Sequence, residues 1–344
     1  MSINSSDILV SVIIPEYCGK GRIDKCIEEL DQQTFNSFEV VIVDDCSPDD
    51  SSAYIEEFIK KVSNPTRFRL IRSAENLRAG GARNLGIKNA NGQFIVYVDQ
   101  DDYPDREMIE RLYAATESSC YDCVVCDVSD KQGIHHRPSI TTNQSQEEIK
   151  KVFSDSCGYV FAILINKKVV EENHLLFPER LLYEDSLYNC GLFLCTKNIS
   201  KIEKTLYYRN GDESSQTATL SIKKLEDRVS ATLWYLTNFA SNENIRKHEE
   251  SIVTVAFYYI YISCIWWMLC DKKLFSKELF DVCLSWARRQ DVDWERIWNN
   301  VKKRGFSRLK VSVLKLIYDD PRRFGLFAPI MRVLFSLKRF LKLS

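Results

Sequence analysis

The first 130 residues alternate short apolar runs with segments of helical periodicity, and this alternation constrains the fold more than any other feature. "ILVSVIIPEY", "FEVVIVDD", "FRLIRS" and "QFIVYVDQ" are apolar runs typical of buried strands. Between the first two, apolar residues recur at helical spacing, as at Ile23, Ile27 and Leu30. Apolar strands that alternate with helices predict an α/β fold, with a mostly parallel sheet covered by helices on both faces.

Acidic residues follow three of the predicted strands. Because the carboxyl ends of parallel strands meet at one edge of a sheet, where ligands bind in such folds, we expect these acids to be grouped in space. Like charges repel and partial burial disfavours their ionised forms, so a bound cation would resolve the conflict. The crowding of Asp99, Asp101 and Asp102 after the fourth strand predicts a metal site, although Pro104 could also open a helix whose first turn takes acids. The acids are Glu16 after the first strand, Asp44 and Asp45 after the second, and Asp99, Asp101 and Asp102 after the fourth.

Charge is unevenly distributed along the 344 residues, although the formal net charge is only −1. Residues 301–344 carry twelve Lys and Arg against two Asp, a net charge of +10, and the preceding 300 residues carry −11. The N-terminus shows no basic segment followed by an apolar one, so we expect no secretory signal and reduced cysteines. No GxGxxG follows the first strand, and neither GxxxxGKS nor GxxxxGKT occurs, which argues against a dinucleotide fold and a P-loop.

One group of cysteines and histidines has spacing that permits a zinc site. However, "YDCVVCDVS" alternates and is rich in β-branched residues, so the sequence favours a strand there. The residues concerned are Cys120, Cys123, Cys126, His135, His136 and Cys157.

Four motifs resemble, in order, those of family 2 inverting glycosyltransferases, which are nucleotide-sugar enzymes of the GT-A fold. They are "VSVIIPEY", "FEVVIVDDCSPDDS", "ENLRAGGARNLGIKNANGQFIVYVDQDD" and "LLYEDSLYNCGLF", and the resemblance covers about residues 9–210. We therefore expect a GT-A domain at 1–220, a helical C-terminal region at 221–321 and a basic amphipathic tail at 322–344.

The resemblance implies a UDP-sugar donor and a Mn²⁺ or Mg²⁺ cofactor held at the D-x-D motif. Asp101 would contact the metal, Asp99 would lie toward the ribose and is a second candidate ligand, and Asp102 would lie just outside. Such a cation stabilises the charge that develops on a leaving diphosphate. Asp45, with Asp44 close behind, would accept the uracil N–H. The alternative is that these two acids only order a turn.

Further residues are implied to bind the donor: Pro15, Glu16, Arg83 and Arg209. Arg83 would reach the base or the phosphates, unless it is a solvated charge on a helix surface. Many relatives have a histidine after the "YYR" strand, whereas this sequence has no histidine between Arg209 and residue 220. Arg209, Ser214 or Ser215 could substitute for it.

The "YEDS" motif resembles the one that carries the base of inverting enzymes. Inversion requires a carboxylate on the face opposite the leaving group, where it takes the proton of the acceptor hydroxyl. Asp185 is the predicted base, with Glu184 positioning it or the acceptor. The alternative is that both are first-turn acids of a helix at 187–193.

The resemblance thus implies transfer of a hexose or N-acetylhexosamine to a hydroxyl of an acceptor glycan. By analogy we expect a lipid-linked acceptor in bacterial surface-polysaccharide synthesis, such as capsule or O-antigen, and a cytoplasmic enzyme at the inner face of the cell membrane. A sugar-nucleotide-forming nucleotidyltransferase and a non-catalytic nucleotide-sugar-binding partner protein remain as alternatives. A homo-oligomer is possible.

Two downstream segments are apolar. Residues 251–270 carry no charge over the length of a bilayer span, yet their Tyr and Trp are spread throughout, which favours a buried core helix over a span. In "APIMRVLFSLKRFLKLS" the cations fall on one arc of a helix and the apolar residues on the other. This pattern predicts binding to an anionic membrane surface, with a helix docked on the protein as the alternative, and it does not favour nucleic acid. The cations are Arg332, Lys338, Arg339 and Lys342, and the apolar residues are Ile330, Val333, Leu334, Leu337, Phe340 and Leu341.

Overall fold

The computed structural model of the protein describes residues 8–118, 120–135, 137–141, 143–155, 159–210, 219–302 and 305–340, with side chains up to residue 335 in the last range. The chain divides into two compact units, Met1–Ser215 and Gln216–Ser344.

The first unit combines strands and helices in the predicted alternation. Its strands are β1 (Val10–Glu16), β2 (Phe38–Asp44), β3 (Phe68–Arg72), β4 (Phe94–Tyr97), β5 (Tyr103–Pro104), β6 (Cys123–Asp130), β7 (Gly133–His135), β8 (Ile163–Asn166) and β9 (Ile199–Tyr208). Its helices are α1 (Asp24–Asp31), α2 (Ser51–Ile59), α3 (Arg78–Asn89), α4 (Met108–Ala114), α5 (Gln146–Asp155), α6 (Lys167–Glu172) and α7 (Tyr188–Cys195).

The strands of the described residues form one sheet in the order β3-β2-β1-β4-β8-β6-β9-β5, with β7 paired to β6. The first four strands pair in parallel, as predicted. β8 runs antiparallel to both β4 and β6, and β5 runs antiparallel to β9, so the sheet as a whole is mixed. The predicted α/β fold class is confirmed, and β1 to β4 supply the parallel half that carries the acidic strand ends.

Both faces of the parallel half are covered by helices, which explains why its strands carry apolar residues on both faces. Val40 and Ile42 of β2 pack into the core under α1 and α2, whereas Val41 and Val43 contact Ala82 of α3 on the other face. α3 lies so close to β1 that a Cβ added at Gly86 would be 2.3 Å from a methyl group of Ile13.

The strand predicted for the cysteine-rich segment is confirmed as β6. Cys123 and Cys126 are both buried in it, and because they are three residues apart their side chains point to opposite faces of the sheet. These two cysteines therefore cannot share one zinc ion. His136 and Cys157 lie outside the described residues.

The second unit is helical, as predicted for the C-terminal region. Its helices are α8 (Ile222–Phe239), α9 (Glu243–Arg246), α10 (Glu249–Phe257), α11 (Cys264–Cys270), α12 (Lys277–Ala287), α13 (Trp294–Lys302), α14 (Arg308–Asp319) and α15 (Arg323–Phe340), with a π-helical turn, Tyr258–Ser263, between α10 and α11.

The continuous helical run Glu249–Cys270 is, within the described chain, the segment long and apolar enough to cross a membrane by length and composition. However, 72% of its most apolar window is buried inside the protein. Phe257, Ile260 and Ile265 are fully buried in the core of this unit. Tyr261 is buried there as well, and its hydroxyl donates a hydrogen bond to the carbonyl of Leu314 at 2.8 Å. This packing favours the predicted core helix.

α15 docks on the second unit by a face that the sequence did not indicate. The predicted apolar face faces solvent: Ile330, Val333 and Leu334 are all exposed. The docked-helix alternative is therefore correct in that α15 packs on the core, but it assigned the packed face to the wrong residues. The residues that pack are Phe324, Phe327, Ala328, Met331 and Phe335. The side chains of Leu337, Lys338, Arg339 and Phe340, and all of Leu341 and Lys342, lie outside the described part of the chain.

Candidate functional site

The site begins at the ends of β1 and β4, which a single glutamine joins. The side-chain oxygen of Gln100 accepts the N–H of Tyr17 at 2.9 Å, and its amide nitrogen donates to the Tyr17 carbonyl at 3.2 Å. Gln100 therefore fixes the loop that follows β1 against the acidic loop that follows β4. Sequence reasoning missed this residue, although it lies inside the "DQDD" motif.

Glu16 is buried at the end of β1 and holds the turn that follows. Its carboxylate accepts the N–H of Gly19 at 2.5 Å and the hydroxyl of Ser47 at 3.4 Å. A Cβ added at Gly19 would be 2.8 Å from the Glu16 carboxylate and 2.9 Å from the side-chain oxygen of Gln100, so a larger residue there would displace these side chains. Burial, with a contribution from the charge of Asp44, raises the pKa of Glu16 to about 7. Pro15 lies half-buried in β1, and donor binding by either residue stays a prediction.

Asp44 and Asp45 are both buried at the end of β2, and each carboxylate orders a loop. Asp44 accepts the N–H of Ser47 at 2.8 Å and the hydroxyl of Ser52. Asp45 accepts the N–H of Leu77 at 2.7 Å, immediately before α3. The contacts of Asp44 fit the alternative in which these acids order a turn. Nucleobase binding by Asp45 stays a prediction.

Arg83, in α3, brings two predicted motifs together. One of its terminal nitrogens is 2.8 Å from a carboxylate oxygen of Asp99, and the other is 2.5 Å from one of Glu184. Its side chain is only 5% exposed. Burial by itself would lower the pKa of Arg83, but the charges of Asp99 and Glu184 raise it by a larger amount, so the pKa is raised overall. Arg83 is thus not a solvated surface charge, and both of its terminal nitrogens face carboxylates.

α3 also holds the loop that carries Glu184. The Asn84 side chain exchanges two hydrogen bonds with the backbone of Phe177, both at 2.9 Å. A Cβ added at Gly80 would be 2.3 Å from the carbonyl oxygen of Pro178, so only glycine permits this close approach. The "YED" loop is therefore fixed to the same helix that positions Arg83.

Asp185 is half-buried in the turn before α7. Burial, and next the charge of Glu184, raise the pKa of Asp185 to about 7, while Arg83 acts in the opposite direction. α7 begins at Tyr188, after Leu187 at the N-cap position. Glu184 and Asp185 therefore precede the helix, and the alternative that they are its first-turn acids is wrong.

The hydroxyl of Tyr207 links the acidic loop to the end of β9. It donates to the carboxylate of Asp102 at 3.0 Å and accepts the N–H of Asp99 at 3.0 Å. Asp102 also accepts the N–H of Asn210 at 3.0 Å. Burial, together with the charges of Asp99 and Asp101, raises the pKa of Asp102 to about 7. Sequence reasoning missed Tyr207; its only signal was its place in the "YYR" strand.

Two arginines lie at the outer side of the acidic loop. The guanidinium of Arg22 is 3.5 Å from the carboxylate of Asp101, a contact that sequence reasoning did not predict. Arg209 lies over the ring of Tyr159 at 4.9 Å, with its guanidinium 3.8 Å from Asp130. Burial and the charge of Asp99 raise the pKa of Asp101, and the charges of Arg22 and Arg209 partly offset this rise. Ser214 and Ser215 lie outside the described residues.

The carboxylates of Asp99 and Asp101 fit a divalent cation that binds together with a diphosphate. Both side chains keep an exposed part, 30% and 27%, so their oxygens can be reached. Within the described residues, no group of three or more His, Cys, Asp and Glu is placed to hold a metal ion. Mg²⁺ is usually held by one or two carboxylates plus substrate phosphates and water, which this arrangement matches. A cavity of about 470 Å³ adjoins Asp101, and its lining mixes the cations Arg22 and Lys25 with the acids Asp24, Glu28 and Glu29 and with Asn210.

Known glycosyltransferases are similar to this chain in sequence. Residues 11–167 match the model of "Glycosyl transferase family 2". The chain is 32% identical over 218 residues to the uncharacterized glycosyltransferase EpsJ of Bacillus subtilis, which covers 60% of this chain and 62% of EpsJ. It is 27% identical over 219 residues to the poly(ribitol-phosphate) beta-N-acetylglucosaminyltransferase TarS of Staphylococcus aureus, which covers 60% of this chain and 36% of TarS. The match thus spans less than two thirds of the length of either relative.

Solved structures share the fold. Residues 1–349 of S. aureus TarS, in complex with UDP-GlcNAc, superpose with a TM-score of 0.69 at 22% identity, over 96% of this chain and 92% of that chain. The mannosyltransferase PcManGT of Pyrobaculum calidifontis, in complex with GDP-Man and Mn²⁺, superposes with a TM-score of 0.53 at 14% identity, over 97% and 88%. The predicted GT-A fold is thereby confirmed. Residues 11–167, which carry these strand-end carboxylates, therefore form a domain similar to that of glycosyl transferase family 2.

Proposed function

We propose that the protein is a metal-dependent inverting glycosyltransferase that transfers a hexose or N-acetylhexosamine from a UDP-sugar to a hydroxyl of an acceptor glycan. One observation carries this proposal: Arg83 contacts both Asp99 of the D-x-D motif and Glu184, the neighbour of Asp185. A donor-binding carboxylate and a candidate base therefore belong to one site, which transfer to an acceptor requires.

Asp185 is proposed to take the proton of the acceptor hydroxyl. As the proton leaves, that oxygen attacks the anomeric carbon from the face opposite UDP, and the bond between this carbon and the diphosphate breaks, which inverts the configuration. A base whose pKa is raised to about 7 suits this task, because a substantial fraction of it is ionised at neutral pH and it is more basic than an ordinary carboxylate. Glu184, held by Arg83, would keep the turn of Asp185 in place.

The donor diphosphate would bind at Asp99 and Asp101, with Mn²⁺ or Mg²⁺ bound between these carboxylates and the phosphates. Such a cation neutralises the charge that develops on the leaving diphosphate. Arg22 and Arg209 are two cations whose charges act on Asp101, and they are proposed to contact the phosphates. Mn²⁺ in the mannosyltransferase complex supports a divalent ion, and the UDP-GlcNAc complex of TarS supports a uridine donor.

The acceptor is proposed to be lipid-linked, within the synthesis of a bacterial surface polysaccharide at the cytoplasmic face of the cell membrane. The name of TarS gives poly(ribitol-phosphate) as its acceptor, which supports a bacterial polymer as the acceptor here, and it gives a beta linkage, which supports inversion.

A thermal-shift screen of UDP-, GDP-, dTDP- and CMP-sugars, each with and without Mn²⁺, tests the donor assignment. We expect stabilisation by UDP-sugars that depends on Mn²⁺ and is lost in Asp101→Asn. Asp50→Asn, an exposed acid outside the carboxylate group, should retain it. No response to any nucleotide sugar would favour a non-catalytic protein, and release of diphosphate from UTP and a sugar phosphate would favour a nucleotidyltransferase.

The stereochemistry needs a separate measurement. With UDP-N-acetyl-α-glucosamine and a soluble glycan acceptor, NMR of the product should show a β linkage, because displacement by one nucleophile inverts the anomeric carbon. An α-linked product would contradict both the inverting mechanism and the role proposed for Asp185.

A further inference from the structure

The second unit exposes apolar side chains along one helix. Leu326, Ile330, Val333 and Leu334 of α15 are 53–70% exposed. Scattered single apolar residues are normal on a protein surface, whereas four in succession on one helix are not. These four residues are called the apolar stripe below.

Helical periodicity places the apolar stripe on one side of α15. Its members are separated by four, three and one residues, so they fall within one arc of roughly 100° at 100° per residue. Phe324, Ala328 and other residues of the opposite side pack into the core of the second unit. α15 is therefore apolar on two faces, one of which is already partnered within the protein while the other faces solvent. A helix that is apolar all round is normally buried on every side.

The apolar stripe belongs to a strongly basic segment. Residues 301–344 contain only two acids, Asp319 and Asp320, and carry a net charge of +10. Arg322, immediately before α15, is 90% exposed and pairs with Asp320, while Arg308 and Lys315 of the neighbouring α14 are exposed, Arg308 in an ion pair with Glu295. An apolar stripe in a segment with this excess of cations matches the interfacial layer of an anionic bilayer, where aliphatic side chains enter the acyl boundary and cations meet the headgroups.

We propose that the apolar stripe of α15 docks the protein on an anionic lipid bilayer. The same charge disfavours the other occupants. A second copy placed on the stripe by a two-fold axis would bring two segments of +10 against each other, which opposes association. Nucleic acid would find aliphatic side chains in place of the aromatic rings on which bases stack.

The purpose of this docking, access to a lipid-linked acceptor, rests on the proposed function, but the docking itself does not. Vesicle binding requires neither donor nor acceptor, so the two proposals can fail separately. A protein that binds vesicles but no UDP-sugar would overturn the proposed function alone.

The test is co-sedimentation of the untagged full-length protein with vesicles of equal parts phosphatidylglycerol and phosphatidylcholine, against pure phosphatidylcholine. We expect binding to the anionic vesicles, which weakens in high salt because screening shortens the reach of the charge. Leu326→Glu combined with Ile330→Glu should weaken it by roughly tenfold or more, because two insertions into the bilayer are lost and two like charges are added. Val282→Glu is the matched control, an exposed apolar residue of the same unit on α12, and it should bind as the wild type does.

The variants must also be folded, and thermal unfolding followed by tryptophan fluorescence shows this, because all six tryptophans lie in the second unit. An unfolded double variant would show that the stripe is packed in solution and would overturn the proposal. Wild-type vesicle binding by the double variant would do the same. The proposal would also be overturned if sedimentation velocity showed a concentration-dependent dimer of the wild type that the double variant does not form, and if neither protein bound vesicles.

Discussion

Arg83 is the residue whose replacement tests the geometry of the site most directly. Its guanidinium lies 2.8 Å from Asp99 and 2.5 Å from Glu184, inside the first unit. Arg83→Met keeps much of the length and the apolar stem of the side chain but removes its charge and donors. Both carboxylates then lose the guanidinium that they share.

The expected loss of stability follows from burial. Removing one partner of a buried ion pair costs about 3–5 kcal/mol, because the remaining charge stays in a poorly solvated place. Asp99 keeps 30% of its side chain exposed, so water relieves part of this cost. We therefore expect Arg83→Met to lower the free energy of unfolding of the first unit by about 3 kcal/mol at neutral pH.

Hydrogen exchange in urea, measured on peptides that cover α3 and residues 177–185, reports on the first unit, whereas tryptophan fluorescence reports on the second. Arg83→Lys is the control: it keeps a charge but lacks the planar fork that contacts two carboxylates, so an intermediate loss is expected. The reasoning is refuted if Arg83→Met unfolds within about 0.5 kcal/mol of the wild type while UDP binding is weaker. Arg83 would then serve the donor alone.

The parallel half of the sheet and the grouping of its acids could be predicted because both follow from local patterns. An apolar run indicates a strand by itself, and the rule that parallel strands share a carboxyl edge then places Asp45 and Asp99 at the same edge. The order of the later strands could not be predicted in this way. β8, β6 and β9 are paired by contacts between residues far apart in the chain, and the periodicity of one segment carries no information about its neighbour in the sheet.

The residues that join the loops of the site were missed for the same reason. Gln100 contacts Tyr17 across 83 residues, and Tyr207 contacts Asp102 across 105. Glutamine and tyrosine are also common in surface loops and in strands, so their identity gave no signal. The acids could be noticed because crowded like charges repel one another, and an arrangement with such an unfavourable electrostatic energy indicates a bound cation.

α15 shows a limit of a different kind. Its sequence supports two apolar faces, one around Phe324 and Ala328 and one around Leu326 and Ile330. The prediction chose the second because the cations at the C-terminal end lie opposite to it. Helical periodicity says which residues share a face, but which face docks depends on the shape of the surface that receives it.

The remaining predictions concern the site and the tail. Asp101→Ala should lose the Mn²⁺-dependent part of UDP binding in calorimetry and leave the fold intact; normal Mn²⁺ titration would exclude Asp101 as a ligand. Asp185→Asn should keep UDP binding while kcat falls by roughly 10²–10⁴. In the wild type, kcat/KM should fall below pH of about 7, because protonation removes the base whose pKa burial has raised. Deletion of residues 322–344 should lower the tryptophan-detected melting temperature, because it removes Phe324 and Ala328 from the core of the second unit. Loss of one large buried apolar side chain alone costs about 3–5 kcal/mol. Ile330→Glu changes the exposed face only and should leave that transition in place. If the truncated protein has the melting temperature of the wild type, then α15 does not pack on the second unit in solution. The face of α15 that is exposed to solvent would then no longer be defined by this packing.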